Sequence, residues 1–155
     1  EASWAYTQQS IDLGLTFFQN QLSNLISFGN SGYINQKHFV SEGVEIYGKY
    51  KRKWYQLNGS FTHQDFKEEK ATVLRRPLNT LIAGLAIFPN DSSEASIRGR
   101  WYSSRKDVTE DGAIIKLNSY EVFDLGFRYY FTQLDLGLQL LNFLDRDYEE
   151  LYGYN

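Results

Sequence analysis

The sequence predicts an all-β protein, an antiparallel up-and-down transmembrane β-barrel, and three observations support this prediction. Apolar and polar residues alternate with a period of two in segment after segment, and no segment shows a helical stripe. Short connections alternate with long polar ones along the chain. Aromatic residues make up 17% of the 155 residues and gather near the predicted strand ends. Together these features are typical of strands that cross a bilayer with one face toward lipid.

The first half of the chain contains four candidate strands. Ser3–Gln8 alternates only weakly. Ser10–Phe17 places isoleucine, leucine and phenylalanine on one face, with serine, aspartate, glycine and threonine on the other. Ser41–Tyr50 and Trp54–Thr62 repeat this pattern with valine, isoleucine, tyrosine, leucine and phenylalanine. Because successive side chains of a strand point to opposite faces, each segment presents one largely apolar face.

Four more candidate strands follow in the second half. Thr80–Ile87 carries leucine, alanine and isoleucine at alternate positions. Ala95–Tyr102 opposes isoleucine and tryptophan to serine and two arginines. Phe123–Phe131 and Leu134–Leu141 alternate over their full length, the first with aromatic residues and the second with leucines. We therefore expect seven clear strands and a weaker eighth at the start of the chain.

The connections between these strands fall into two classes. Short connections lie at residues 51–53, 89–94 and 132–133, and long polar ones at residues 18–39, 67–78 and 103–119. An up-and-down antiparallel sheet collects all the short turns at one rim and all the long loops at the other. Outer-membrane barrels show this asymmetry, with short periplasmic turns and long external loops.

The composition excludes several classes of protein. The chain has no cysteine, which removes disulfide scaffolds, cysteine-based zinc sites and thiol nucleophiles. Its formal net charge of −3 gives no basic field, so no nucleic-acid partner is expected. The two histidines lack metal-ligand spacing, and no nucleophile elbow or phosphate-binding loop is present. We expect no cofactor, no metal site and no enzymatic activity.

Three architectures remain open on periodicity alone. Seven or eight strands can close a small barrel that acts as an adhesin or a lipid-modifying enzyme. They can also form one arc of a larger barrel, or a soluble lipocalin-like binder or β-sandwich. The polar, tyrosine-rich stretch at residues 145–155 follows the last strand without a partner strand. A self-contained barrel must pair its first and last strands, because an open sheet edge cannot face lipid. The unpaired stretch therefore favours the arc.

Several segments resemble a known family. The stretch from Asn142 to Glu149, followed by Leu151–Tyr154, resembles the C-terminal signature of TonB-dependent outer-membrane receptors. Segments 23–26, 43–45 and 74–77 resemble further elements in the family's order. The similarity is greatest to the vitamin B12 (cobalamin) receptor group. The chain departs from the pattern by having Phe143 before Leu144, the reverse of the usual order. It also lacks the family's final strand.

The resemblance implies an active importer of the bacterial outer membrane. Its full fold is a 22-stranded barrel around an N-terminal plug domain, driven by the energy-coupling protein TonB. Residues 1–155 then form a partial barrel domain, an arc of seven or eight strands without the plug or the final strand. Expected partners are the rest of the barrel, the plug, TonB and outer-membrane lipid. The expected ligand is cobalamin first and an iron-siderophore second.

Candidate site residues fall into two groups. Arg75 matches, by the resemblance, the arginine pair that approaches the corrinoid, and guanidinium groups donate well to amide and phosphate oxygens. Tyr102 and Arg105 begin the next long loop and are expected to line the external vestibule. The second group consists of charged residues on the predicted lumen face, which are expected to hold the plug: Glu45, Arg98, Arg100, Asp124 and Arg128.

Overall fold

The computed structural model describes residues 1–29, 32–68 and 74–154. Ten strands lie in these ranges: β1 Ala2–Gln8, β2 Ile11–Gly29, β3 Gly32–Lys51, β4 Tyr55–Glu68, β5 Asn79–Asn90, β6 Ser93–Tyr102, β7 Arg105–Val108, β8 Ile114–Leu117, β9 Tyr120–Tyr130 and β10 Asp135–Leu140. The described residues contain no helix long and apolar enough to cross a membrane.

Eight strands form one antiparallel sheet in the order β1-β2-β3-β4-β5-β6-β9-β10. Each of them corresponds to a strand predicted from the alternation, so the predicted all-β, up-and-down architecture is confirmed. Strands β1 and β10 are the two edges, and they do not pair with each other. The sheet is therefore an open arc rather than a closed eight-stranded barrel.

The prediction of long loops is partly wrong for two of the three segments, because both contain paired strands. Most of residues 18–39 continues strands β2 and β3, which pair from Ile11–Tyr50 up to Gly29–Gly32. These strands contain 19 and 20 residues, whereas about 9–11 suffice to cross a bilayer. Residues 103–119 contain the hairpin of β7 and β8. In the third predicted loop, residues 69–73 lie outside the described residues.

One face of the sheet, here called the apolar face, consists of alternate positions paired across the strands. One of its rows runs Leu13, Gly48, Gly59, Ala83, Gly99 and Phe123; the next runs Ile11, Tyr50, Leu57, Leu85, Ile97, Leu125 and Leu140. Leu57 and Leu138 on this face are 45% and 61% exposed. Because no second layer covers these side chains among the described residues, the sheet has no core of its own here.

The apolar face ends in a polar row toward the long-loop rim. Gln19, Glu42 and Asp65 pair across β2, β3 and β4 two residues beyond the row of Phe17, Val44 and His63. Glu42 accepts a hydrogen bond from Gln19 and forms an ion pair with Lys67. The apolar stretch from Ile11 to Phe17 is roughly 20 Å long at the usual rise of a strand. This height is close to the ~25 Å apolar band of an outer-membrane barrel.

Candidate functional site

The opposite face of the sheet, here called the polar face, carries a row of charged and amide side chains. The row runs Asp12, Lys49, Asn58, Gly84, Arg98 and Asp124 across six strands. Asn58 lies across Gly84, where an added Cβ would come within 2.9 Å of its Oδ1. Glycine at this position therefore lets the amide of the neighbouring strand lie flat on the sheet.

All five residues predicted to line the lumen lie on the polar face, as the register shows. Arg100 donates to Asp124 at 2.8 Å, and Asp124 also accepts the backbone N–H of Asn142 at 3.0 Å. Arg100 Nε is buried and has no hydrogen-bond partner among the described residues. The guanidinium of Arg128 lies 5.9 Å from the ring centroid of Tyr130, whose hydroxyl donates to Glu94 at 3.0 Å.

Among these five residues, Glu45 and Arg98 are left without partners in the described part of the chain. Both are exposed, and neither forms a hydrogen bond or ion pair with another described residue. A groove on the polar face is lined by residues that include Arg98, Asn58, Glu94 and Asp124. The polar face thus carries unpaired charges of both signs.

A second cluster forms at the long-loop rim, where a buried carboxylate holds three segments together. Asp107 of β7 is fully buried. Its Oδ1 accepts from Arg75 Nε at 2.7 Å and from the Val108 N–H at 2.8 Å, and its Oδ2 accepts from the Tyr152 N–H at 2.8 Å. Burial alone would raise the pKa of Asp107, but these donors outweigh it and hold the pKa below its ordinary value.

The Arg75 backbone adopts an uncommon conformation beside the ion pair with Asp107. Its φ is +63°, in the left-handed region that side chains other than glycine and asparagine rarely adopt. Its N–H donates to the Lys106 carbonyl at 2.7 Å, beside the ion pair with Asp107. The Arg75 side chain is still 48% exposed. Its terminal nitrogens make no hydrogen bond with other described residues.

Arg105 and Tyr120 pack the segment after β10 against the same hairpin. Arg105 is buried and donates to the carbonyls of Glu149 and Glu150. Its guanidinium lies 5.0 Å from the Tyr120 ring, which stacks on Tyr148 at 4.4 Å. The Tyr120 hydroxyl donates a hydrogen bond to Glu150 at 2.9 Å. We call these residues, with Arg75, Tyr102, Asp107 and Tyr152, the loop cluster.

The structure brings the three predicted ligand residues into the loop cluster. Tyr102 lies on the polar face with Arg98 and Arg100, and its ring centroid is 5.1 Å from that of Tyr120. Arg105 is enclosed, and Arg75 is the most exposed of the three. Contact of any of them with a ligand stays a prediction.

Sequence reasoning missed Asp107, although a signal was present. That signal is Asp111–Gly112, a dipeptide that favours hairpin turns, which lies between segments 105–108 and 114–117. Gly112 adopts a φ of +84°, and its N–H donates to the Thr109 carbonyl. The charged residues 105–107 and 110–111 hid this hairpin inside what was predicted as a polar loop.

Aromatic and cationic side chains also meet above the band on the polar face. Phe39 is buried and packs on Phe66, with ring centroids 5.7 Å apart. The Arg76 guanidinium lies 5.3 Å and 5.7 Å from these two rings. Within the described residues, no group of three His, Asp or Glu side chains is placed to hold a metal ion.

An open antiparallel arc with an exposed apolar face, a charged polar face and packed long loops defines a segment of an outer-membrane β-barrel wall. The chain belongs to the TonB-dependent receptor family: residues 1–143 match the family described as TonB dependent receptor-like, beta-barrel. It is therefore a protein of the outer membrane of Gram-negative bacteria. A search of curated protein sequences gave no match.

Solved structures of similar fold include three receptors. The FrpB iron transporter from Neisseria meningitidis is 14% identical, with a TM-score of 0.73 over 94% of this chain and 26% of its own. The ferric-catecholate import receptor Fiu from E. coli K12 is 18% identical, with a TM-score of 0.69 over 96% of this chain and 23% of its own. The ferric enterobactin receptor PfeA from Pseudomonas aeruginosa is 21% identical, with a TM-score of 0.73 over 93% of this chain and 25% of its own. This chain spans about a quarter of their length.

Proposed function

We propose that the intact protein imports a ferric siderophore across the outer membrane, with residues 1–155 forming part of the barrel wall and its external loops. The observation that supports this most is the match of residues 1–143 to the receptor barrel family. The three receptors of similar fold described above are named for iron, ferric catecholate and ferric enterobactin. In this proposal the protein is a transporter and carries out no catalytic step.

The two polar regions have separate roles in this proposal. Ligand binds outside the membrane among the long loops, near the loop cluster. The plug domain packs against the polar face and meets the unpaired charges of Glu45 and Arg98, the open donor of Arg100, and Arg128. TonB then supplies the pull that rearranges the plug. The apolar face contacts outer-membrane lipid.

Arg75 is the strongest candidate for direct ligand contact. Ferric catecholate complexes are anionic, and a guanidinium group binds anionic oxygens with two donors in one plane. The bond to Asp107 uses Arg75 Nε and leaves the terminal nitrogens for a ligand. Tyr102 and Arg105 support the site from beneath, through Tyr120.

Titration of the full-length receptor tests the cargo. Ferric catecholate, ferric hydroxamate and cyanocobalamin would be added separately to the purified receptor, and the dissociation constants measured by calorimetry. We expect submicromolar binding of one ferric siderophore. The cobalamin preference from the sequence resemblance stays a prediction, and the same titration decides it. Binding of cyanocobalamin alone would replace the siderophore proposal, and no binding of any ligand at micromolar concentration would contradict both.

The variant Arg75→Ala tests ligand contact, provided that its structural role is measured beside it. Loss of a charge-assisted hydrogen bond should weaken binding by roughly tenfold or more. Asp107→Ala is the matched comparison, because it breaks the same ion pair and releases the same loop but retains the Arg75 side chain. We expect Arg75→Ala to weaken binding more than Asp107→Ala. Equal losses in the two variants would show that Arg75 acts only by holding the loop.

Charge reversal at Arg98 tests the plug contact. Arg98→Glu would place a third carboxylate beside Glu94 and Asp124 on the polar face. We expect the plug to leave the lumen at a lower urea concentration, measured as the onset of ion conductance in a planar bilayer. Lys106→Glu in the external hairpin makes the same charge change away from the lumen. An unchanged onset for Arg98→Glu would reject the plug contact.

A further inference from the structure

One of the four short turns of the sheet differs from the others in charge. The β3–β4 turn contains Arg52 and Lys53, directly after Lys51. The other three turns, at residues 9–10, 91–92 and 131–134, contain no lysine or arginine. Short turns of an outer-membrane barrel lie on the periplasmic side. The basic turn is therefore a local feature of the periplasmic rim and not a general property of it.

Arg52 is directed to the apolar face of the sheet. Its guanidinium lies 5.2 Å from the ring centroid of Tyr50, and its Nε donates to the Tyr50 hydroxyl at 2.5 Å. Tyr50 belongs to the apolar face, because it pairs with Ile11 and Leu57. Lys51 lies one position later on the strand and so on the polar face. The turn thus presents cations to the two faces separately.

The Tyr50 ring that Arg52 contacts is the first of three neighbouring aromatic rings at the end of the apolar band. Tyr50 and Tyr55 lie 5.9 Å apart, and Trp54 meets Tyr55 edge-on at 4.4 Å. Trp54 is 64% exposed. Tryptophan and tyrosine favour the depth of the lipid headgroups. A cation held among them lies at the level of the lipid phosphates, directly below the apolar side chains that contact acyl chains.

We propose that Arg52 and Lys53 bind the phosphate of an anionic phospholipid in the periplasmic leaflet. The Arg52 Nε is occupied by Tyr50, whereas its terminal nitrogens make no hydrogen bond with other described residues. Lys53 is exposed at the tip of the turn. Exposed Trp54 and the adjoining Leu57 provide apolar surface for the glycerol and upper acyl chains. This apolar surface favours a phospholipid over an acidic segment of a periplasmic protein. The inference does not depend on which ligand the receptor carries.

Native mass spectrometry of the full-length receptor in detergent tests this site. The receptor would be titrated with phosphatidylglycerol and with phosphatidylethanolamine of the same acyl chains. Each basic residue at a membrane surface contributes enough attraction for an affinity change of about fivefold. We expect Arg52→Gln to weaken phosphatidylglycerol binding by about that factor, and Arg52→Gln with Lys53→Gln by at least tenfold. Phosphatidylethanolamine, whose ammonium group offsets the charge of its phosphate, should lose less affinity in the same variants.

Two controls make the outcome specific. Lys51→Gln removes the same charge from the same turn on the polar face, and it should change phosphatidylglycerol binding by less than about twofold. Arg52→Lys keeps the charge and should retain most of the affinity, which separates loss of the site from misfolding. Undiminished phosphatidylglycerol binding by the double variant would overturn the proposal, as would equal losses for Lys51→Gln and Arg52→Gln. The proposal would also be overturned if the double variant retained phosphatidylglycerol but lost binding to a periplasmic protein.

Discussion

Replacing Ala83 by arginine should lower the free energy of unfolding of the full-length receptor in lipid vesicles by about 2–4 kcal/mol. Ala83 lies in the middle of the apolar face, between Gly59 of β4 and Gly99 of β6. An arginine therefore has room there, and its cost comes from placing a charge in hydrocarbon and not from steric overlap. Urea unfolding followed by tryptophan fluorescence measures the change.

Two variants separate charge from size and from position. Ala83→Leu adds bulk without charge and should be tolerated. Ala86→Arg lies on the same strand but on the polar face, between Gln56 and Ser96, where water or the plug can solvate the guanidinium. We expect it to cost less than about 1 kcal/mol, as near-surface positions do. Equal destabilisation by Ala83→Arg and Ala86→Arg would contradict the assignment of the apolar face to lipid.

Asp107→Ala should release the external hairpin of β7 and β8 from the segment after β10. The substitution leaves the Val108 and Tyr152 N–H groups and the Arg75 guanidinium without their acceptor. Loss of a buried acceptor shared by three donors costs about 3 kcal/mol, which corresponds to a roughly hundredfold increase in local opening. Hydrogen exchange of the amides at residues 105–108 and 152 measures it.

Asp111→Ala is the matched control for this effect. Asp111 is exposed at the tip of the same hairpin, where its carboxylate accepts a hydrogen bond from the Thr109 hydroxyl. Its removal should leave the exchange of Tyr152 unchanged. If Asp107→Ala protects Tyr152 as well as the parent receptor does, the buried carboxylate does not hold the two segments together.

The same carboxylate predicts a dependence of loop docking on pH. Because the folded-state pKa of Asp107 is lowered, its contribution is complete above the unfolded-state pKa and is lost as the pH falls through the folded-state value. The docking should therefore weaken in acid below about pH 4 in the parent receptor. The Asp107→Ala variant should lack this acid-dependent step when exchange is compared at matched pH.

The strands of the membrane band could be predicted from the sequence because lipid imposes a strict alternation. Leu13, Leu85 and Leu138 face outward whichever strand lies beside them. The alternation can therefore be recognised without knowing the partner strand. The polar face followed from the same alternation, which placed Arg98, Arg100 and Asp124 together on one side.

The extensions above the band could not be predicted in the same way. Beyond Phe17, the outward positions Gln19 and Gln21 are polar, so the alternation vanishes although β2 continues in register with β3. Above the band the outward face meets water instead of lipid, so polar side chains there carry no penalty. Backbone pairing alone maintains the strand.

The loop cluster escaped prediction for a different reason. Asp107 meets Arg75 and Tyr152, which are 32 and 45 residues away in the chain. Local patterns carry no information on such contacts, and a charged residue in a polar stretch is ordinarily exposed. Burial of this carboxylate depends on three donors that only the folded loops bring together.

Cysteine cross-linking of the full-length receptor tests most directly whether residues 1–155 form an arc of a larger barrel. The chain has no cysteine of its own, and Tyr6 pairs with Leu13 across β1 and β2, so Tyr6→Cys with Leu13→Cys should form a disulfide. Tyr6→Cys combined with cysteine at Leu136, Leu138 or Leu140 of β10 should form none, because β1 and β10 are separate edges. A disulfide between β1 and β10 would mean that eight strands close on themselves, and it would contradict the receptor arc.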